Sequence, residues 1–328
     1  MSETHEGPDI WASWLLHRRH AHDAAFENEL HADVRRYVDR VLDLAQLQPG
    51  MTLLDVGSGE GAVALRAIER VGPELKAVLT DISRELLTRS QAEAWRREVH
   101  QQCVFHRCAA DCMPEIADGS IDVVATRAAL AYVVDKPAAL REFWRVLKVG
   151  GRIALAEPVF QYDAIETAAL RLMAERSDAG AHSVLLRLIH RWKSSQYPDT
   201  PAAIAERPMT NFSERTLWEF VRSCGFTRMH MELHVDMQCA PVKSWALFLD
   251  LSPHPLAPTL AEILAQQFSR SERDILENTM RPSVESGNTL STTYVVYFSA
   301  LKPPSSSVPA GRLGDWVQGL GGAASPTC

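Results

Sequence analysis

The chain has 328 residues, 46 % apolar and 23 % charged, with a net charge of −7. Those proportions exclude a disordered, collagen-like or coiled-coil chain, and the acidic balance argues against a protein that grips nucleic acid. No apolar run approaches the roughly 18 residues that a membrane span needs. The opening MSETHEGPDI lacks the apolar centre of a signal peptide, so a cytoplasmic protein with reduced thiols is expected. Cys103, Cys108 and Cys112 lie close together, but their C-x4-C-x3-C spacing matches no zinc-ribbon pair. No metal site is expected.

Residues 9–46 carry apolar side chains at helical spacing and predict one helix, stopped by Pro49-Gly50. Residues 51–56 form a buried strand, GSGEG follows, and a helix runs over AVALRAIERV to Gly72-Pro73. A second strand spans 76–81, and a helix runs from Ser83, its N-cap, to His100. Strands over 103–108 and 121–126 come next, then a helix over 136–149 closed by Gly150-Gly151, then a strand over 152–157. Residues 159–210 break the rhythm with helical text. It resumes with a helix from Ser213 and a strand over 227–237. A second insertion, 240–290, precedes the last strand, 291–301, whose alternation fits an antiparallel partner. The tail over 303–328 is rich in Pro, Gly and Ser and is expected to be disordered. Alternating strands and helices imply a parallel sheet covered on both faces, with the ligand at the carboxyl ends of the strands.

The chemistry concentrates at one turn. In LLDVGSGEG, glycines sit between a strand and a helix, where backbone can bend sharply and approach a ligand. Asp81 ends the next strand, 24 residues beyond Gly57, suitably placed to accept both hydroxyls of a ribose. Its other reading, an N-cap, is better filled by Ser83. The pattern is G-x-G-x-G rather than the dinucleotide G-x-G-x-x-G. Asp55 stands two residues before Gly57, where a cationic amino group would suit it, and Asp111-Cys112 is placed to meet an adenine edge.

LLDVGSGEG, LTDIS, AADCMPEIADGSIDVVATRAALAYV and EFWRVLKVGGRIALAEP, in that order, resemble consecutive motifs of the class I S-adenosylmethionine-dependent methyltransferases, in the branch of the ubiquinone and menaquinone C-methyltransferases and many natural-product enzymes. The resemblance covers about residues 45–158. It implies an α/β, Rossmann-like, doubly wound and mostly parallel seven-stranded sheet. It further implies that Gly57, Ser58 and Gly59 cradle the methionine and ribose of S-adenosylmethionine. Asp55 would lie near the amino group, Asp81 would hold the ribose, Ile82 would pack on adenine, and Asp111 with Cys112 would meet the adenine amino group. Arg127 departs from the small or amide residue common there; it is either a clamp for the cofactor carboxylate or a surface charge.

Residues 1–45 are read as an N-terminal helical lid, 46–158 as the cofactor core, 159–210 as a substrate insertion and 211–302 as the rest of the sheet. Trp11 and Trp14 lie one helical turn apart and are followed by HRRHAH; Trp14 and Arg19 are assigned to the cofactor site on this basis. A solvated helix anchored by Trp, or a metal site at His17 and His20, are the other readings. No base is singled out, since methyl transfer is mainly a matter of alignment; His20, Tyr132 and Glu157 are the candidates. Tyr162, His190 and Tyr197 are candidates for the acceptor pocket. The function expected is methyl transfer to a small-molecule acceptor, releasing S-adenosylhomocysteine, with no nucleic-acid or membrane partner and room for a homodimer. The alternatives are a non-methylating or intramolecular reaction of S-adenosylmethionine, a non-catalytic partner subunit, or a dehydrogenase.

Overall fold

The computed structural model describes residues 8–178 and 180–304; most of the tail assigned to 303–328 lies outside the described residues. The strands are β1 (Thr52–Val56), β2 (Lys76–Asp81), β3 (Cys103–Arg107), β4 (Ile121–Arg127), β5 (Leu147–Pro158), β6 (Thr227–Cys239) and β7 (Leu290–Leu301). The helices are α1 (Ile10–Ser13), α2 (Ala24–Ala45), α3 (Ala62–Val71), α4 (Arg84–Arg96), α5 (Lys136–Val146), α6 (Gln161–Arg176), α7 (Ala181–Ser194), α8 (Pro201–Glu206), α9 (Glu214–Ser223), α10 (Trp245–Asp250), α11 (Leu260–Gln267) and α12 (Arg270–Glu285).

The strands form one sheet in the order β3-β2-β1-β4-β5-β7-β6. Strands β1 to β5 run parallel, while β7 is antiparallel to both β5 and β6. The last strand is therefore not at a margin: it is threaded between β5 and β6. Val56 lies opposite Thr80 of β2 and Thr126 of β4, so the chain leaves all three strands at one level. Connections leave in opposite directions from β1 and β4, and this switch point opens a crevice.

Successive residues of β1 serve opposite faces of the sheet. Leu54 and Val56 join Phe143, Leu155, Leu217 and Phe298 under α5 and α9. Leu53 joins Val38, Val41, Ala64 and Ala67 under α2 and α3. A third core, with Leu188, Trp192, Trp245, Ile263 and Leu276, unites α7, α10, α11 and α12. The two insertions, expected separately, thus share one helical body beside the sheet.

Three expectations need correction. The single helix over 9–46 is broken. A π-helical turn, Trp14–Arg18, follows α1, and α2 starts afresh from Asp23, whose side chain accepts from the Phe26 N–H. Between them Ala21 and His22 adopt positive φ, which no helix tolerates. Residues 1–45 are consequently not one unit of the kind expected. Val34, Val38, Val41, Leu42 and Ala45 of α2 are buried against the sheet, and each fully buried Val or Leu stabilises by about 1.5–3 kcal/mol. Helix α2 is a layer of the core, and only the segment before Asp23 is free to act as a cover. Finally, α5 ends at Val146 rather than 149, because Leu147 is already extended and pairs with Ile121.

Candidate active site

The ends of β1, β2 and β4 open into a cavity of about 1840 Å³. Gly57 leaves β1 at φ +66°, and a Cβ placed on it would stand 2.4 Å from the Ala129 Cβ. Only glycine lets the first turn of the loop lie against the segment after β4. Gly59, at φ +55°, is the second left-handed turn. The Ser58 N–H donates to the Thr80 carbonyl at 2.9 Å, while its buried hydroxyl has no partner among the described residues.

Asp55 is buried and accepts from the Ala64 N–H at 3.0 Å, tying the strand to the first turn of α3. Burial pushes its carboxyl up to about 7, partly offset by the cation of Arg127. Asp81 spans the loop: one carboxylate oxygen accepts from the Gly59 N–H at 2.8 Å, the other from the Ser83 N–H at 2.9 Å. Burial raises its carboxyl too, and the neighbouring Asp9 carboxylate adds to the effect. The Ile82 N–H is a further backbone partner of the carboxylate, which with about four acceptor positions can still take another donor. Ser83 caps α4, as its sequence position suggests, and its hydroxyl also meets Asp9 at 2.6 Å.

Asp9 begins the segment that covers the loop. Its other oxygen caps α1 through the Ala12 N–H. Trp11 meets Tyr132 edge-on, with ring centres 5.1 Å apart. The Trp14 indole donates to the Ser252 carbonyl at 2.9 Å, and the Ser252 N–H donates to the Arg18 carbonyl at 3.1 Å. The segment is held at one end beside Asp81 and at the other by the helical body, with Leu15 over Gly59.

Two arginines line the cavity. Arg19 comes from the cover, its guanidinium 5.5 Å from the Trp14 ring centre, and Arg127 comes from the end of β4. Burial draws Arg19 down to about 10, and the nearby Arg127 adds to the shift. Burial lowers Arg127 as well, against the pull of Asp55 and Glu157. Neither guanidinium has an ion pair among the described residues. Two half-buried cations in one cavity, neither in an ion pair, favour an anionic ligand.

The other expected residues divide. Ile82, Asp111, Tyr132, His20 and Tyr197 line the cavity. Cys112 does not, and its N–H is bonded to the Ala109 carbonyl at 3.1 Å, so it has no donor to offer adenine. Glu157 is fully buried beneath the cavity floor, where it accepts from the Thr126 hydroxyl and the Ala131 N–H. It braces the segment after β4 and has no route to an acceptor. Tyr162 turns to Glu214 and His190 to Asp199, both away from the cavity. His17 stacks on His22, and among the described residues no cluster of three or more His, Cys, Asp or Glu could hold a metal.

A family model described as a methyltransferase domain matches residues 47–198, which include this loop, Asp81, Asp111 and Arg127. Over those residues the chain matches a methyltransferase domain of the class I, S-adenosylmethionine-dependent kind. The nocamycin O-methyltransferase of Saccharothrix syringae is 41 % identical over 120 residues, 37 % of this chain and 42 % of that protein. The ubiquinone/menaquinone biosynthesis C-methyltransferase UbiE of Xanthomonas oryzae pv. oryzae is 39 % identical over 113 residues, 34 % of this chain and 44 % of that protein. The chain therefore matches less than half the length of these relatives. Among solved structures, the YcgJ protein of Bacillus subtilis aligns with a TM-score of 0.49 at 15 % identity, over 82 % of this chain and 99 % of its own.

Beyond the glycine loop the cavity of the methyltransferase domain continues between α6 and α7, and the residues there escape sequence reasoning. Asp163 and Glu166 of α6 and Lys193 of α7 line it. Their only sequence signal is the i, i+3 spacing of Phe160, Asp163 and Glu166 on one helix face.

Proposed function

We propose that the chain transfers the methyl group of S-adenosylmethionine to a small-molecule acceptor by in-line displacement. The observation that carries this reading is the pair of half-buried arginines, Arg19 and Arg127, that line the cavity with the glycine loop and have no ion pair among the described residues. A ligand carboxylate between them answers both charges. The remaining groups agree with the same ligand. The Ser58 hydroxyl has no partner among the described residues, Asp81 lines the cavity as an acceptor for ribose hydroxyls, and Ile82 and Asp111 line it where adenine would lie.

When bound, S-adenosylmethionine supplies a methyl carbon activated by its sulfonium. The work of the chain is to align an acceptor with that carbon and exclude water, and good alignment alone lowers a barrier by up to about 7–11 kcal/mol. The aromatic surfaces of Trp11, Tyr132, Phe160 and Tyr197 border the region between the cofactor loop and the insertions. Trp14 and Trp11 keep the cover in place. No metal or redox group is required for this displacement.

Calorimetric titration with S-adenosylhomocysteine and with NAD tests the cofactor, and mass spectrometry of the products tests the reaction. Adenosylhomocysteine binding and a methylated acceptor are expected. Methylthioadenosine without methylation would establish the non-methylating reaction instead, and NAD binding without adenosylhomocysteine binding would overturn the cofactor assignment.

A further inference from the structure

We propose that Asp163 and Lys193 form the acceptor-binding end of the cavity: Asp163 takes the proton of a weakly acidic hydroxyl, a phenol or enol, and Lys193 holds the oxygen as it loses that proton. The inference rests on the methyl-transfer reading above and goes beyond it by naming the acceptor class and the proton acceptor.

The geometry comes from two facing helix surfaces. Phe160 caps the start of α6, three residues before Asp163, and just past the end of α7 the Tyr197 N–H donates to the Lys193 carbonyl at 2.9 Å. All four line the cavity. Phe160 touches both Tyr132 and Tyr197, with ring centres 5.7 and 6.4 Å apart, and Asp163 follows it by three residues in the same cavity. Among the described residues, neither the Asp163 carboxylate nor the Lys193 ammonium is hydrogen-bonded to another residue or in a salt bridge. The Lys193 ammonium lies over the Trp192 ring, 4.5 Å from its centre, and both charged groups line the cavity.

Phe160, Trp192, Tyr197 and Phe248 supply aromatic surface around Asp163 and Lys193, and the second acid there, Glu166, is taken up by the Tyr294 hydroxyl. That selects a planar, apolar acceptor carrying a single ionisable group. Burial pushes Asp163 up to about 7, with Lys193 pulling it down and Glu166 pushing it up. Burial lowers Lys193. A base near 7 can accept a proton from a hydroxyl of pKa about 10, as in a phenol, but not from an alkyl alcohol. The step balances: the hydroxyl proton passes to Asp163, the oxygen lone pair forms the O–CH3 bond, and the C–S bond breaks with its electron pair going to sulfur.

Other titratable groups around Asp163 do not compete for the role. Glu166 is engaged by the Tyr294 hydroxyl, and Tyr132, Tyr197 and Tyr294 are all held in their neutral form by burial and nearby carboxylates. Burial draws His254, behind Phe160, down to about 4, so it is neutral throughout the working range.

The experiment uses the full chain with S-adenosylmethionine, 7-hydroxycoumarin as the phenol probe, 4-hydroxycoumarin as the enol probe and 1-naphthylamine as the nitrogen control. O-methylation of at least one hydroxyl probe is expected, with kcat rising through pH about 7. Asp163→Asn should lower kcat at pH 7.5 by about 100-fold or more, remove that rise, and leave KM and adenosylhomocysteine affinity within about threefold. Asp163→Glu should recover part of the rate. Lys193→Met should reduce the phenolate absorbance of bound 7-hydroxycoumarin. Binding of adenosylhomocysteine without binding or methylation of either hydroxyl probe would overturn this inference alone. So would methylation of the amine only, or an Asp163→Asn enzyme within threefold of wild type. Failure to bind adenosylhomocysteine would overturn the cofactor reading and this inference with it.

Discussion

Replacing Arg127 by Met tests the cofactor site at the group that gives it most of its charge character. Arg127 lies at the end of β4, desolvated, with only the more distant fields of Asp55 and Glu157 in its favour. If it meets the ligand carboxylate, its loss removes at least one charge-assisted hydrogen bond, worth about 1.5–3 kcal/mol. That converts to a loss of about 10- to 150-fold in affinity for S-adenosylhomocysteine. 5′-Methylthioadenosine shares the adenosine but lacks the amino acid, so its affinity should stay within threefold. The free protein should melt no lower, because a half-buried cation without a partner has been removed. Calorimetry with both ligands and a thermal melt measure all three quantities. An equal loss for the two ligands would mean that the substitution distorted the pocket, and unchanged adenosylhomocysteine binding would mean that Arg127 meets no carboxylate.

Asp81→Ala should weaken adenosylhomocysteine binding at least tenfold, since two ribose bonds and the brace between Gly59 and Ser83 are lost together; an affinity within twofold in a folded variant would refute the assignment. Trp14→Ala removes the bond to Ser252 and the platform under Arg19, and should cost about tenfold in cofactor affinity with little change in melting temperature. Equal affinity and turnover would make the segment a structural arm only. For Asp55, the folded carboxyl at about 7 lies above the ordinary value near 4. The native state holds a proton that the unfolded chain releases, so this group's contribution to stability falls as pH rises from about 4 to 7. Asp55→Asn should gain stability relative to wild type across that window in urea denaturation, and a constant difference would show that Asp55 does not titrate there.

Asp55, the three loop glycines, Asp81 and Ser83 could be read directly from the chain because strand, turn and helix are contiguous there. Spacing along the sequence is spacing in space when no other segment intervenes, and glycine at a left-handed turn is a local requirement. The alternation of strands with helices carried the sheet for the same reason. It could not say that β7 is threaded between β5 and β6, since that order depends on which edge the last hairpin finds. Nor could it separate α2 from the cover before it: both have helical periodicity, and only burial against Leu53 and Ala125 makes one of them core.

Side-chain direction was the other blind spot. Glu157 ends a strand as Asp81 does, yet it faces Thr126 and the backbone after β4, while Asp81 faces the cavity. Tyr162 and Tyr197 look equivalent in sequence, but one turns to Glu214 and the other to the cavity. Asp163 and Lys193 lie 30 residues apart on different helices, and no periodicity links them. They face one cavity because α7 is held by the core it shares with α10, α11 and α12, more than 50 residues further along the chain. Local chemistry set out the glycine loop and its carboxylates, and long-range packing decided what stands opposite them.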